Sequence, residues 1–362
     1  MVTRGLNHGP TVGVVIVNHN GGDRAMRVLA ALHRQTYPLH HVVVVDNASI
    51  DGSPERVRAA YPRVQVVELG RNTGVAIARN AGLAVVQSKL VLLLDHDVYV
   101  ERDCIERMVR AWEANAPAVV CPRIRLIPER TVVQADGAAL HFLGTQILRH
   151  GYERVDRAPG YGGIVDGCIG ACMLVDRDTV IEAGGFDELF FFYFEDLEFS
   201  MRLRGRGHHI WCEPAALVFH ERAAGTPQLS YRGRGAYPPT RAYLTMRNRL
   251  TSMLIHYRLR TLLLLLPVLI LHEAASLTMA IRMGCPLQWA RSWSWQFANF
   301  QTIAERRRRS QSRRTVADRD LLVGGTPPLV PGLLQTRTEQ RLLSWYSSVV
   351  NGYWRLARGW IG

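Results

Sequence analysis

A Rossmann-like, mostly parallel α/β sheet with flanking helices is the fold that the first part of this sequence predicts. Four apolar runs, "TVGVVIV" (11–17), "HVVVVD" (41–46), "VQVVEL" (64–69) and "LVLLLD" (90–95), recur between residues 11 and 100. Between them lie three stretches with helical periodicity, "DRAMRVLAALHRQ" (23–35), "SPERVRAAY" (53–61) and "GVAIARNAGLAVVQS" (74–88). The last run is apolar at every position from Leu90 to Leu94, as expected of a strand buried on both faces. Strands alternating with helices at this spacing build a parallel sheet.

Each element has a local cause. The first run is rich in β-branched residues, and the stretch after it carries Met26, Leu29, Ala30 and Leu32 on a helical repeat. Ser53 followed by Pro54 reads as an N-cap and a first helical position. Beyond residue 100 the pattern predicts a helix over 103–115, a strand over 118–121, then a polar, Gly-rich region. A strand (172–175), a helix (177–183), a Gly-Gly-Phe-Asp turn, a charged amphipathic helix from about 196 and strands near 208–212 and 216–220 follow. Residues 1–240 are expected to form one catalytic domain, with 11–100 and 101–240 as its halves.

The character changes over 241–362, expected to be a helical extension. Thr261–Ile281, between Arg260 and Arg282, is close to the roughly 20 residues that cross a bilayer. Pro267 interrupts it and His272-Glu273 lies in its second half, which favours an interfacial, re-entrant or core-packed helix over a spanning one. The basic cluster "ERRRRSQSRR" (305–314) suits anionic lipid, at about 1 kcal/mol per arginine, or a solvated linker. After a loop, "GGTPPLVPG" (324–332), the tail from 337 reads as an amphipathic helix. Its Trp345, Tyr346, Tyr353, Trp354 and Trp360 suit a membrane interface or a packing surface.

The 362 residues, 48% of them hydrophobic, exclude wholesale disorder. The net charge of +13 is almost all arginine, since Lys89 is the only lysine, so the total is no nucleic-acid signature by itself. Six cysteines without a C-x-x-C pair or metal-finger spacing fit a reducing, cytosolic compartment. The N-terminus lacks the apolar stretch of a secretory leader.

The loops after the strands carry the chemistry. Ligands of open α/β sheets bind beyond the strand carboxyl ends. There "VNHNGG" (17–22) places Asn18 and Asn20, "VDNASIDGS" (45–53) places Asp46, and "GRNTGVAIARNAG" (70–82) places Asn72, Gly74, Arg79 and Asn80. Backbone N–H groups at a helix start, with an arginine one turn on, suit phosphate. Neither G-x-G-x-x-G nor G-x-x-x-x-G-K-[ST] occurs, which disfavours a dinucleotide site and a P-loop. Asp95-His96-Asp97 closes the fourth run. Two acids one residue apart suit a hard divalent cation, or equally a turn with an ion-pair partner.

Together "VVIVNHNG", "VVDNASIDGS", "LGRNTGVAIARNAG" and "LLLDHD" resemble the nucleotide-binding half of inverting glycosyltransferases of family 2, with the GT-A fold. "GGFDELFFFYFEDLEFSMRLRGRGHHIWCEPAALVFH" resembles the acceptor-side half, so the likeness covers about 11–222. It implies that Asp46 contacts the base of a nucleotide-sugar with Asn18 and Asn20 nearby, and that Asp95 lies by the ribose. Asp97 would bind Mg²⁺ or Mn²⁺ at the diphosphate, with His220 as a second protein ligand. In the Glu195-Asp196 pair, Asp196 would be the general base and Glu195 would orient the acceptor. "GCIGACML" would line the site with small residues. Arg202 would be a phosphate or acceptor contact, or more simply part of a solvated helix face.

The implied protein is an inverting, metal-dependent enzyme of cell-envelope synthesis, similar to rhamnosyl- and galactofuranosyltransferases. It would take a dTDP- or UDP-sugar, with dTDP-rhamnose preferred, and glycosylate a lipid-linked or glycan acceptor. The extension would hold it on the anionic inner face of the cell membrane, peripherally or integrally. Two other classes compete. A nucleotidyltransferase of the same fold would need a Gly-rich, Lys-containing triphosphate loop, which "VNHNGGDRAMR" lacks. A non-catalytic basic module would bind membrane or nucleic acid, but the arginine cluster has no interleaved stacking aromatics, so no nucleic-acid partner is expected.

Overall fold

The computed structural model of the chain describes residues 9–221, 236–328, 334 and 336–361; part of the 324–332 loop lies outside them. The first half alternates β1 (Val12–Asn18), α1 (Asp23–His33), β2 (Leu39–Asp46), α2 (Ser53–Ala60), β3 (Gln65–Glu68), α3 (Val75–Val85) and β4 (Leu90–Asp95). Then come β5 (Val98–Val100), α4 (Cys104–Asn115), β6 (Val119–Ile127), β7 (Val133–Ala135), β8 (Ala138–His141), β9 (Thr145–Leu148) and β10 (Gly163–Val165). β11 (Cys172–Asp176), α5 (Arg177–Glu182), α6 (Glu195–Gly205) and β12 (Ile210–Glu221) complete the sheet region.

The main sheet runs β3-β2-β1-β4-β11-β6-β12-β10. Strands β1 to β4 are mutually parallel, β11 is antiparallel to both neighbours, and β12 is parallel to β6. The sheet is therefore mixed and mostly parallel, as the sequence predicts. Alternate residues of one strand go to opposite cores. Val12, Val14, Ile16, Leu90, Leu92 and Leu94 pack with α1 and α4, whereas Val15, Val17, Val91 and Leu93 pack with α3 and α6. This two-sided burial is why the runs are apolar throughout. Register brings Asn18 opposite Asp46 and Val17 opposite Asp95, so three polar strand ends share one edge.

Two local expectations are corrected. Gly52, in the left-handed region at φ 72°, caps α2, and Ser53 is its buried first residue. The strands expected near 208–212 and 216–220 are one strand, β12, with an irregularity between Glu213 and Leu217.

The remainder is mainly helical: α7 (Pro239–His256), α8 (Leu259–Arg282), α9 (Pro286–Ala298), α10 (Phe300–Ser312), α11 (Asp318–Leu321) and α12 (Arg337–Ala357), with a short β13 (Leu322–Val323). Pro267 does not break α8, which is continuous over 24 residues. The basic cluster is no free linker, because much of it folds back. Arg307 donates to the carbonyls of Leu254 and Tyr257 at 2.7 and 2.6 Å, Arg306 pairs with Asp187 at 3.0 Å, and Arg314 bonds Asp318 and the His256 carbonyl. The tail aromatics divide. Trp354 is buried and stacks on Phe142, whereas Trp345 and Trp360 are 61% and 67% exposed.

Candidate active site

The loops after β1, β2 and β3 are tied by a polar network built at the strand ends. Asn18 is fully buried, and its Nδ2 donates to Asp46 Oδ1 at 2.8 Å, Ser53 Oγ at 2.9 Å and Ser49 Oγ at 3.1 Å. Asp46 Oδ2 accepts from the Ser49 amide at 2.9 Å. Exposed Asn20, at φ 52°, accepts from the Ile50 amide. Asn72 accepts from the Gly74 amide at 3.1 Å. Asn47 and Asp51 also belong to the network, without an individual sequence signal. Asn47 accepts from the Thr73 amide and donates to the Gly74 carbonyl, and Asp51 accepts from the Gly22 amide at 2.7 Å. Their only sequence signal is the polar density of "VDNASIDGS".

Gly74 sits where no side chain fits. Its φ is 83°, and an added Cβ would lie 2.1 Å from the Phe191 carbonyl oxygen. The next amide, Val75 N, donates to that oxygen at 2.9 Å, so the start of α3 is fastened to the loop before α6. Gly74→Ala should combine left-handed strain with a backbone clash and cost on the order of 1–3 kcal/mol or more. Urea unfolding checks this; an unchanged midpoint would refute the close-approach argument.

At the end of β4, Asp97 Oδ1 lies 3.4 Å from His220 Nε2. His220 Nδ1 is 2.8 Å from Gln134 Oε1, a partner that sequence did not suggest. With Nδ1–H donated to Gln134, the Nε2 lone pair faces the Asp97 carboxylate. Two lone-pair bearers at that separation need a cation between them, a proton or a metal ion. Burial pushes the Asp97 carboxyl up, but the bond to His220 and its charge outweigh it, and the net shift is downward. Among the described residues no cluster of three or more His, Cys, Asp or Glu is placed to hold a metal. Asp97 and His220 supply one carboxylate oxygen and one imidazole nitrogen, both groups that can ligate a divalent ion.

Arg79 joins the two halves. Its guanidinium is almost fully buried and donates to Asp95 Oδ1 at 3.2 Å, Glu195 Oε1 at 3.2 Å and the Gly170 carbonyl at 2.7 Å. The expected phosphate contact is thus an internal bridge from Arg79 to two carboxylates, 16 and 116 residues along the chain. Gly170 makes this geometry available, since a Cβ there would fall 2.6 Å from Arg79 Nη2. Within "GCIGACML" this small residue therefore admits a guanidinium. Asn80 is also used internally, donating to the Phe186 carbonyl and accepting from its amide at 2.9 and 2.8 Å. Arg202 is neither solvated nor free: it is buried, pairs with Glu198 and bonds the carbonyls of Ala183 and Gly185.

The Glu195-Asp196 pair opens α6 directly after two left-handed aromatic residues, Tyr193 at φ 64° and Phe194 at φ 66°. Non-glycine residues seldom hold that conformation, and two in succession mark a turn fixed by its surroundings. The fixing comes from α7. Asn248 donates to the carbonyls of Phe192 and Tyr193 at 3.0 and 2.6 Å, and Arg241 donates to the Tyr193 hydroxyl at 2.6 Å. Asp196 accepts from the amides of Gly170 at 3.0 Å and Leu197 at 2.8 Å. Burial raises its carboxyl against those bonds. Burial, then the charge of Asp196, pushes Glu195 up to about 7 despite Arg79.

A mostly parallel sheet with flanking helices, interrupted by the antiparallel β11 between β4 and β6, is the GT-A fold. Two solved structures share the fold. One is GalNAc-T7 with UDP, GalNAc and Mn²⁺, at TM-score 0.54 and 18% identity over 68% of this chain and 48% of that one. The other is the mannosyltransferase PcManGT from Pyrobaculum calidifontis with GDP-Man and Mn²⁺, at TM-score 0.50 and 18% identity over 85% and 86%. The Glycosyl transferase family 2 profile matches residues 13–182, and with the curated relatives below it supports a family 2 glycosyltransferase. Among curated relatives, the N-acetylglucosaminyl-diphospho-decaprenol L-rhamnosyltransferase of Mycobacterium tuberculosis is 28% identical over 59% of this chain and 76% of its own length. The low-salt glycan biosynthesis hexosyltransferase Agl10 of Haloferax volcanii is 24% identical over 66% and 74%. The protein is an enzyme, a glycosyltransferase of glycan or cell-envelope synthesis.

Proposed function

We propose that this glycosyltransferase is inverting and metal-dependent, and moves a sugar from a nucleoside-diphosphate donor to a hydroxyl of a lipid-linked or glycan acceptor. The observation that carries the reading is a pair of sites linked through the bonds of Arg79 to Asp95 and Glu195: Asp97 with His220 lies two residues beyond Asp95, and Asp196 lies next to Glu195. Asp46, Asn18 and Asn20 would border the base, and Asp95 the ribose. A divalent ion held by Asp97 and His220 would neutralise charge on the departing diphosphate. Asp196, its two oxygens set by backbone amides, would take the acceptor proton as the hydroxyl attacks. Glu195 would position that acceptor.

The Mn²⁺ present with UDP and GalNAc, and with GDP-Man, in two solved structures of the same fold supports a divalent ion, Mg²⁺ or Mn²⁺, at this site. The similarity to an N-acetylglucosaminyl-diphospho-decaprenol L-rhamnosyltransferase supports a polyprenyl-type acceptor at the inner membrane face, and the donor would be a dTDP- or UDP-sugar. Residues 1–240 would form the catalytic unit and 241–362 a supporting, membrane-binding one. Titration calorimetry of UDP, dTDP and GDP, with Mn²⁺ and with chelator, tests the reading. One nucleotide should bind only with metal, and Asp97→Ala should abolish that binding. Equal affinity in chelator would overturn the metal assignment.

A further inference from the structure

The charge of this protein is not spread over it. Residues 241–362 hold eighteen arginines against five acidic residues, a difference that equals the net +13 of the whole chain. The catalytic region is electrically balanced. Most of the large exposed apolar side chains lie in the same part of the chain. Leu259, Leu263, Leu266 and Ile270 project from α8, and Leu342, Trp345, Val349 and Leu356 from α12. Their spacing of three, four or seven residues places each set on one helix face.

The two faces are neighbours, because α8 and α12 lie side by side and antiparallel. The Tyr353 hydroxyl donates to the Leu264 carbonyl at 2.6 Å, the Tyr346 hydroxyl meets His272 Nδ1 at 2.6 Å, and Arg282 pairs with Glu339 at 2.5 Å. The inner side of α8 is bound to the body of the protein along its length. Thr261 bonds Asp318, Glu273 pairs with buried Arg249 and accepts from Trp293 Nε1 at 3.1 Å, and Leu265 and Val268 are buried.

By length and hydropathy α8 is apolar enough to cross a bilayer, as a continuous 24-residue helix. Spanning would strip away those bonds and carry Glu273 and its arginine partner into hydrocarbon. A helix with one face bonded to protein, the other apolar, and basic residues around it instead lies in the plane of an interface. We propose that α8 and α12 together form an in-plane membrane anchor. In it, Leu263, Leu266, Ile270 and Trp345 enter the acyl boundary of one leaflet, and Arg260, Arg341, Arg355 and Arg358 meet anionic headgroups. A second copy of the chain is the poorer occupant, because two such arginine-rimmed faces repel each other, whereas anionic lipid complements them. The proposal rests on the membrane-surface part of the function above and adds the face and depth of contact. Since α7 packs between this platform and the turn before Glu195, the anchor also sets how the acceptor side faces the leaflet.

The test uses the full chain and vesicles of phosphatidylcholine with or without phosphatidylglycerol, with acyl chains brominated near the headgroup or near the terminal methyl. Wild type should bind the anionic vesicles, with tryptophan emission quenched more by shallow bromines than by deep ones. Trp345→Phe with Trp360→Phe should remove that quenching. Combined Leu263→Gln, Leu266→Gln and Ile270→Gln should lower partitioning by about tenfold or more and make the remainder reversible by salt. Nucleotide binding in solution should be unchanged, which confirms folding and keeps the glycosyl-transfer reading separate. Maximal quenching by deep bromines would overturn the in-plane anchor in favour of a span. Salt-reversible binding of wild type without quenching would reduce it to a peripheral electrostatic contact. Vesicle binding by neither protein, with concentration-dependent self-association of wild type alone, would assign the face to a second copy.

Discussion

Asp196→Asn is expected to lower kcat by roughly 10²–10⁴-fold, the usual contribution of a positioned general base, while leaving metal-dependent nucleotide binding intact. The amide is close to isosteric, and one of its atoms can still accept from the Gly170 or Leu197 amide that holds the carboxylate. What it cannot do is take a proton. Steady-state kinetics beside calorimetry separates the two effects, and near-normal turnover would remove Asp196 from the role of base. A pH profile adds a second readout. Burial raises both carboxyls of the pair, and Glu195 reaches about 7. The dyad therefore gains its first proton as pH falls through about 7, and the rate should fall from there, far above the range of an exposed carboxylate. Glu195→Gln leaves a single acid limb and should move it to lower pH. An acid limb unmoved by that change would mean the two groups do not titrate as a pair.

Arg79→Met should produce the largest loss of stability. It leaves Glu195 and Asp95 without a counter-charge, and removing one member of a buried pair costs about 3–5 kcal/mol. The lower end is expected, because Asp95 is about a third exposed and water screens it. The sign of the pH dependence follows from the carboxyls. With Arg79 gone, Glu195 and Asp95 rise further above their unfolded-state values, so the unfolded chain releases protons more readily than the folded one. The loss should then be modest at pH 5.5, where Glu195 is protonated, and grow as pH rises through and above 7. Urea midpoints at pH 5.5 and 8.5 check this. A small loss independent of pH would mean the bridge does not hold the halves together.

Much of the fold was legible because its signals are local. The two-sided burial of β1 and β4 writes itself as unbroken apolar runs, and helix spacing between them fixes a parallel arrangement. The placement of Asn18, Asp46 and Asp95 at one edge follows once those strands are aligned. The acidic pairs 95/97 and 195/196 could be picked out because their neighbours in sequence match a family pattern, and Asp97 does meet His220.

The sequence by itself therefore determined the alternating strands and helices of residues 12–95 and the polar residues that end them, but not β5, β7 to β10 or the unity of β12. Only the tertiary structure decided what each charge is for. Arg79 looked like a phosphate ligand and is a carboxylate bridge; Arg202 looked solvated and is a buried tie. Arg306, Arg307 and Arg314 looked like a lipid-binding run and partly hold α10 to the body. Gln134, Asn248 and Arg241 drew no attention, yet they set the His220 ring and the strained turn before the dyad. The physical reason is common to all of them. Periodicity and turn chemistry act over a few residues, whereas a polar side chain's role depends on its desolvation and on which acceptors packing brings into hydrogen-bonding reach, and those acceptors lie tens to more than a hundred residues away.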